Sequence, residues 1–205
     1  MKLELFFDCS SPWAYLGFEE GQRLAAELEL DLVFRPVLVG AVFNAVNKSV
    51  YHVREHVPAK AAWVGKDLTD WCRVTGIPIH FPPSVFPVNS AKAMRACLLL
   101  EERGALVDFA RAAFEAYWQR DEDISQAPVL DAICRSIGVE PAMVIPRLGD
   151  DELKGKLRAN VDELIARGGF GVPTFFLEGT DMYFGVDRLF MIRDAVRRTR
   201  PVAEA

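Results

Sequence analysis

The stretch richest in chemistry is Phe7-Asp8-Cys9-Ser10-Ser11-Pro12-Trp13-Ala14-Tyr15-Leu16, where an apolar run of strand character stops and a helix starts. Ser11 has the side-chain oxygen that an N-cap needs, and Pro12 has the fixed φ and missing N–H that suit the first helical position. A capped helix by itself accounts for the pair. The same turn also carries a hydroxyl and free backbone N–H groups to the positive end of a helix, which favours an anion such as a thiolate or carboxylate. Two further places share this character. Gly171-Val172-Pro173-Thr174 enters a strand through an X-Pro bond, and Phe184-Gly185-Val186-Asp187-Arg188-Leu189 puts Asp187 at the N-cap of the last helix. Capping alone explains Asp187, but a carboxylate beside free helix N–H groups can also hold both ends of a zwitterion.

The other reactive side chains carry less. Cys9, Cys72, Cys97 and Cys134 form no Cys-x-x-Cys pair and no metal-ligand spacing. Cys97 and Cys134 stand among Leu98, Leu99, Ile133 and Ile137 at helical spacing, as small core hydrophobes do. His52-Val53-Arg54-Glu55-His56 has the spacing of one zinc-peptidase helix, but Pro58 follows at once and the third histidine, His80, falls in a Pro-rich loop. No metal site is expected. Arg193, Arg197, Arg198 and Arg200 complement the negative end of the last helix.

These residues need elements to hold them. Apolar runs at 3–7 and 31–36 flank a helical stripe through Trp13, Leu16, Leu24 and Leu28, a strand-helix-strand opening. From about 44 to 168 the pattern is helical, most clearly through Leu106, Phe109, Phe114 and Tyr117 and through Leu153, Leu157, Val161 and Leu164. Pro128 and Gly138 bracket another helix. After Gly171 a hairpin, 174–177 and 182–184, leads to the last helix at 187. The expected organisation is α/β: residues 1–40 plus 169–205 as one domain, with 41–168 as an all-helical insertion. A net charge of −5 gives the surface no pull toward nucleic acid or anionic lipid. The longest apolar run, near 170–177, is far short of the ~18–20 residues of a membrane span, and the first residues include acids where a signal peptide is apolar. The expected location is the cytoplasm.

Set against the Cys-Pro-x-Cys turn of thioredoxin-like oxidoreductases, Ser11-Pro12-Trp13-Ala14 keeps the turn and loses both sulfurs. Dithiol redox chemistry is not expected. Such a turn can instead hold another molecule's thiolate, with the Ser11 hydroxyl donating to sulfur and the helix dipole favouring ionisation. The natural external thiol is glutathione. In this setting the Val172–Pro173 bond is expected to be cis, with the Val172 N–H and C=O free to pair with the cysteinyl part of glutathione as an added strand does.

Phe6-Phe7-Asp8-x-x-Ser11-Pro12-x-x-Tyr15, Phe81-Pro82-Pro83-x-x-Phe86-Pro87-Val88-Asn89, Phe170-Gly171-Val172-Pro173-Thr174 and Phe184-Gly185-x-Asp187-Arg188-Leu189 span nearly the whole chain. Together they resemble the 2-hydroxychromene-2-carboxylate isomerase family, which is related to kappa-class glutathione transferases and DsbA-like oxidoreductases. The resemblance implies a thioredoxin-like fold with a large helical insertion, glutathione as cofactor, and a homodimer. It implies that Ser11 is catalytic at the glutathione sulfur, that Val172 and Pro173 hold the cysteinyl backbone, and that Phe184, Gly185, Val186 and Asp187 hold the γ-glutamyl end. The implied reaction is reversible thiolate addition to a small aromatic conjugated acid, rotation about the carbon–carbon bond, and release of the thiolate. Asn47, Lys60 and Asn89, with Asn44, are the candidates for the substrate carboxylate and enolate; Lys48 and Arg54 are alternative cations. Trp63, Phe81 and Phe86 are candidate walls for the ring. Two other functions stand beside this one: a kappa-like transferase or peroxidase, toward which Leu16-Gly17-Phe18-Glu19 and Asn89-Ser90-x-x-Ala93-Met94-Arg95 lean, and a redox-inactive glutathione-binding protein.

Overall fold

Strand β1 (Lys2–Phe7) is buried at every residue after Lys2, which is why it reads as a continuous apolar run rather than an alternation. The computed structural model describes residues 1–199, with backbone only at 52–55. Ser11 and Pro12 start helix α1 (Pro12–Glu27), and β2 (Asp31–Pro36) returns parallel to β1, with Lys2 opposite Asp31 and Phe7 opposite Pro36. On its other side β1 pairs antiparallel with β3 (Thr174–Leu177), which in turn pairs with β4 (Asp181–Phe184). The sheet order is therefore β2-β1-β3-β4. Its two central strands come from opposite ends of the chain, so neither end makes the sheet alone.

Between β2 and β3 the described residues form helices only: α2 (Val39–Val46), α3 (Ser49–His56), α4 (Pro58–Thr75), α5 (Ala91–Glu101), α6 (Leu106–Trp118), α7 (Ala127–Ser136) and α8 (Asp151–Ala166), with 3₁₀ turns at Pro141–Met143 and Ile145–Gly149. A 3₁₀ turn at Val186–Arg188 precedes the last helix, α9 (Leu189–Thr199). The helical block shares its core with the sheet. Phe7 of β1, Phe18 of α1, Phe34 of β2 and Phe114 of α6 form one aromatic cluster, with ring centroids 5.3 Å apart for Phe7–Phe18, 5.0 Å for Phe18–Phe34 and 5.3 Å for Phe18–Phe114. Each fully buried ring in such a cluster contributes roughly 1.5–3 kcal/mol. The resulting fold is the thioredoxin-like α/β arrangement with added helices that the motifs imply.

One charge sits inside this sheet. Glu4 is 3% exposed on the central strand. Its carboxylate accepts from Arg35 Nη2 at 3.1 Å, from Lys2 Nζ at 3.2 Å and from Arg167 Nη2 at 2.7 Å. The Arg167 guanidinium lies 3.8 Å from the Phe176 ring centroid, which fixes its plane. Burial alone raises the Glu4 pKa, but hydrogen bonds from Arg167, Arg35 and Lys2 overcome it and hold the group at about 2, against 4.5 ordinarily.

A carboxyl depressed in the folded state stabilises the fold above its unfolded pKa and stops doing so as pH falls through its folded one. Glu4→Gln is therefore expected to cost on the order of 3 kcal/mol at neutral pH. In urea titrations the gap between wild type and variant should shrink between about pH 4.5 and pH 2; a constant gap would mean that the ion cluster does not stabilise this sheet.

Candidate active site

At the end of β1 the chain turns through Asp8, Cys9 and Ser10 into α1. Asp8 is fully buried, and its carboxylate accepts from the Ser10 amide at 2.9 Å and the Val39 amide at 2.8 Å. Leu38, at the start of α2, has no side chain to cap that helix, so Asp8 supplies the cap from a distant part of the chain. Burial pushes the Asp8 pKa up, against hydrogen bonds from the Ser10 amide, the Ser90 hydroxyl and the Val39 amide. Cys9 is enclosed. Burial, a hydrogen bond with Cys97 and the neighbouring Asp8 raise its thiol well above the ordinary 9. Such a thiol is neither exposed nor ionised, and Cys9 does not replace the missing nucleophile.

Ser11 caps α1: its Oγ accepts from the Ala14 amide at 3.2 Å, and its carbonyl accepts from Tyr15 at 3.1 Å. With Oγ accepting, the hydroxyl proton is free to donate. Pro12 has no N–H, so among the described hydrogen bonds the Trp13 amide is the backbone donor left over in this first turn. The site therefore presents two unused donors at the positive end of a 16-residue helix.

At the same end of the sheet, where Phe6 of β1 pairs with Thr174, is the loop before β3. The Val172–Pro173 peptide is cis, and the Val172 N–H and C=O make no hydrogen bond among the described residues. Pro173 packs onto α1 at Gly17, where an added Cβ would lie 2.7 Å from its Cγ. The Pro173 carbonyl accepts from Gly185 at 3.0 Å, which ties the loop to the end of β4. Gly185 has φ 99°, and a side chain there would sit 2.5 Å from Asp187 Oδ1. Asp187 is not the N-cap that the sequence implies. The positive φ at Gly185 sends Val186 into the core and opens a 3₁₀ turn, so α9 starts two residues later, at Leu189. Without a capping bond, the Asp187 carboxylate folds back over Gly185 and pairs with Arg188 Nη1 at 2.5 Å. Asp67 of α4 lies within electrostatic reach of it: burial raises the Asp67 pKa, Lys66 opposes, and the charges of Asp70 and Asp187 add to the rise. Sequence reasoning did not single out Asp67, because no local motif marks it.

Two aromatic groups flank the turn and the loop. On the Val172 side, Phe170 and Phe184 pack with tilted rings at 4.4 Å, and a Cβ on Gly171 would meet Phe184 at 2.9 Å and Phe43 at 3.5 Å. The Asn47 amide donates to the Phe170 carbonyl at 3.1 Å, so Asn47 is joined to this loop. On the other side, Phe81 and Phe86 pack at 5.4 Å and both lie against Trp118, the buried residue whose indole N–H donates to the Cys9 carbonyl at 2.9 Å. Trp118 was also missed, because at the end of an amphipathic stripe it reads as core. Asn89 Oδ1 is engaged by the Ala91 amide at 3.1 Å, at the start of α5. Lys60 and Trp63 are exposed on α4, and Lys48 and Asn44 are exposed before it. The side chains of His52, Arg54 and Glu55, and Arg200, lie outside the described residues. Among the described residues no cluster of His, Cys, Asp and Glu can hold a metal, and no helix is long and apolar enough to cross a membrane.

The profile of the DSBA-like thioredoxin domain matches residues 2–197. Human glutathione S-transferase kappa 1 is 28% identical over 203 residues, covering 93% of this chain and 88% of that protein. The 2-hydroxychromene-2-carboxylate isomerase of Pseudomonas putida is 26% identical over 200 residues, covering 97% and 95% respectively. A solved 2-hydroxychromene-2-carboxylate isomerase superposes with a TM-score of 0.84 at 22% identity, over 100% of both chains.

Two measurements test this geometry. Under native conditions a maleimide should label Cys72, which is partly exposed, while Cys9, Cys97 and Cys134 label only after unfolding; rapid native labelling of Cys9 would reopen its candidacy as nucleophile. Gly17→Ala should lower the unfolding midpoint by the equivalent of about 1–3 kcal/mol, because the new methyl must displace Pro173. An unchanged midpoint would mean that Pro173 does not pack on α1 as described.

Proposed function

The chain belongs to the DsbA-like thioredoxin domain family, and from that premise we propose that it is a glutathione-dependent isomerase of an aromatic conjugated acid. The substrate pair is 2-hydroxychromene-2-carboxylate and trans-o-hydroxybenzylidenepyruvate, or a close analogue. The observation that carries this reading is a turn without sulfur that leaves two donors unused, the Ser11 hydroxyl and the Trp13 amide, at the end of the sheet where a second peptide, Val172, also has both polar groups unpaired. That is a complement for an extended peptide bearing an anionic sulfur. When bound, glutathione supplies a thiolate that adds reversibly to a conjugated carbon and is regenerated.

The chain's own residues do the rest. Ser11 donates to the sulfur and holds it as the anion, helped by the dipole of α1. Val172 pairs with the cysteinyl backbone across the cleft. Asp67 and Asp187, whose charges act on each other, attract the ammonium of the γ-glutamyl group. Phe81 and Phe86 on one flank, and Phe43, Phe170 and Phe184 on the other, offer faces to an aromatic ring. Lys60, in the first turn of α4, provides the cation for the substrate carboxylate, and Asn47 borders the loop on which the substrate rests.

A kappa-like transferase is the second reading, favoured by the 28% identity to human kappa 1 beside 26% to the isomerase. The two differ in the fate of the thiol. An absorbance time course of 2-hydroxychromene-2-carboxylate, run with and without glutathione and followed by thiol titration, separates them. Turnover that requires glutathione and consumes none is expected; stoichiometric thiol loss would establish the transferase instead. Ser11→Ala should keep most glutathione affinity and lose ~10- to 1000-fold in turnover, the scale of one positioned donor to a reacting anion. Full activity in that variant would remove Ser11 from the chemistry.

A further inference from the structure

The two peptide groups that precede Ser11 are each pinned at both ends. In the Asp8–Cys9 peptide, the carbonyl accepts from the Ser11 amide at 3.1 Å and the N–H donates to Met94 Sδ at 3.3 Å. In the Cys9–Ser10 peptide, the carbonyl accepts from Trp118 Nε1 at 2.9 Å and the N–H donates to Asp8 Oδ1 at 2.9 Å. Two of these four partners belong to the turn itself. The other two, Met94 of α5 and Trp118 of α6, reach it from separate helices of the insertion, and both are fully buried.

Trp118 is itself held from the far side. Phe81 stacks on its ring and Phe86 meets it edge-on, each at 6.4 Å. The loop carrying them is fastened to the same end of α6, through the His80 amide to the Trp118 carbonyl at 2.6 Å and the Tyr117 hydroxyl to the Val85 carbonyl at 2.8 Å. The indole therefore cannot swing away from Cys9 without dismantling that loop. A thioether is a weak acceptor for a buried amide, and its use here means that the Cys9 N–H has no better acceptor in reach.

Each peptide carries a dipole of about 3.5 D, and a peptide beside the positive end of a helix adds to or subtracts from the field felt by an anion held there. Pinned as they are, the Cys9 carbonyl is aimed into the insertion and away from the donors of α1. Released, it is free to turn its oxygen toward the anion and raise its energy. We propose that Trp118 and Met94 form a clamp on these two peptides, positioning residues through which the helical insertion sets the acidity of the thiol held at Ser11. This rests on the glutathione reading above. The titratable groups facing the clamped peptides are Asp8 at the end of β1, Cys9 itself, Cys97 of α5 and Tyr117 of α6. All four are kept in the variants below, so a shift in the bound thiol reports the clamp.

Trp118→Phe keeps a ring for Phe81 and Phe86 and removes the N–H; Met94→Leu keeps the volume and removes the sulfur. The bound thiol is titrated by the ultraviolet absorbance of the glutathione thiolate, and S-methylglutathione, which has no ionisable sulfur, measures binding apart from ionisation. The clamp predicts that in each variant the pKa of bound glutathione rises by roughly half a unit to one unit, a three- to tenfold loss of thiolate at a given pH. Affinity for S-methylglutathione should stay within about twofold. A residue that merely fills the core would weaken both ligands in step and leave the thiol pKa in place, and that result overturns the proposal. If Trp118→Phe fails to fold, Met94→Leu decides alone. If wild type binds neither ligand, the glutathione reading falls and the clamp with it; binding of both, with unshifted pKa in the variants, overturns the clamp only.

Discussion

A single buried carboxylate holds the turn between β1 and α1 to the helices around it. Asp8 closes the central strand, orders the Ser10 amide two residues on, caps α2 through Val39 and receives the Ser90 hydroxyl at the start of α5. A carboxyl in a fully enclosed position is costly, and it persists only where hydrogen bonds replace its water. Here the replacements come from three segments, the turn, α2 and the start of α5. Take the carboxylate away and two amides lose their acceptor at once, the buried one of Val39 at about 1–3 kcal/mol and the half-buried one of Ser10 at less. The geometry of Ser11 and the entry of the chain into the helical block thus depend on the same two oxygens.

The helical block does more than cover a sheet. Phe114 joins Phe7, Phe18 and Phe34 in one aromatic cluster, so α6 is packed into the core that β1, α1 and β2 need for themselves. From the same helix Trp118 reaches the Cys9 carbonyl. On the opposite side, Pro173 can approach α1 only because Gly17 has no side chain, and Phe175 approaches Gly21 in the same way, at 2.9 Å from where a Cβ would stand. The loop and the strand that follows it are thereby held by close packing against the same helix that the turn begins. Donors placed this way need no reorganisation when an anion arrives, the condition under which a few hydrogen bonds stabilise a charge most.

Most of the fold was legible because its signals are local. β2 begins and ends where its apolar run does, at Asp31 and Pro36, and α1 starts at the Ser11-Pro12 pair that capping requires. The hairpin of β3 and β4 was readable from its turn, where Glu178 and Gly179 both take positive φ. The start of the last helix was misread for a physical reason: Asp187 has the right chemistry for a cap, but Gly185 turns the chain before it and a 3₁₀ turn intervenes. The candidate site divides along the same line. Ser11 belongs to a local motif and could be read from its neighbours. Asp67 and Trp118 matter only through what the fold brings near them, and Met94, though it lies in the Asn89–Arg95 stretch, owes its contact with the Cys9 amide to the fold. Asn89 shows the converse, since its side-chain oxygen is engaged at the start of α5.

A thioredoxin-like turn without cysteines keeps everything that makes a thiolate stable and nothing that makes a disulfide. The helix dipole, the hydroxyl of Ser11 and the unused Trp13 amide act on any sulfur anion held before them, whichever molecule supplies it. What the turn cannot do is choose a reaction partner for that anion, because its own groups reach no further than the sulfur. That choice passes to the flanks: Phe81 and Phe86 against Trp118 on one side, Phe43, Phe170 and Phe184 on the other. The first flank is attached to the same indole that pins the turn, whereas the second is attached to the loop before β3. In the glutathione reading proposed above, a ring bound at the first flank rests on the indole that pins the turn, so recognition of an aromatic partner and activation of the thiol share Trp118.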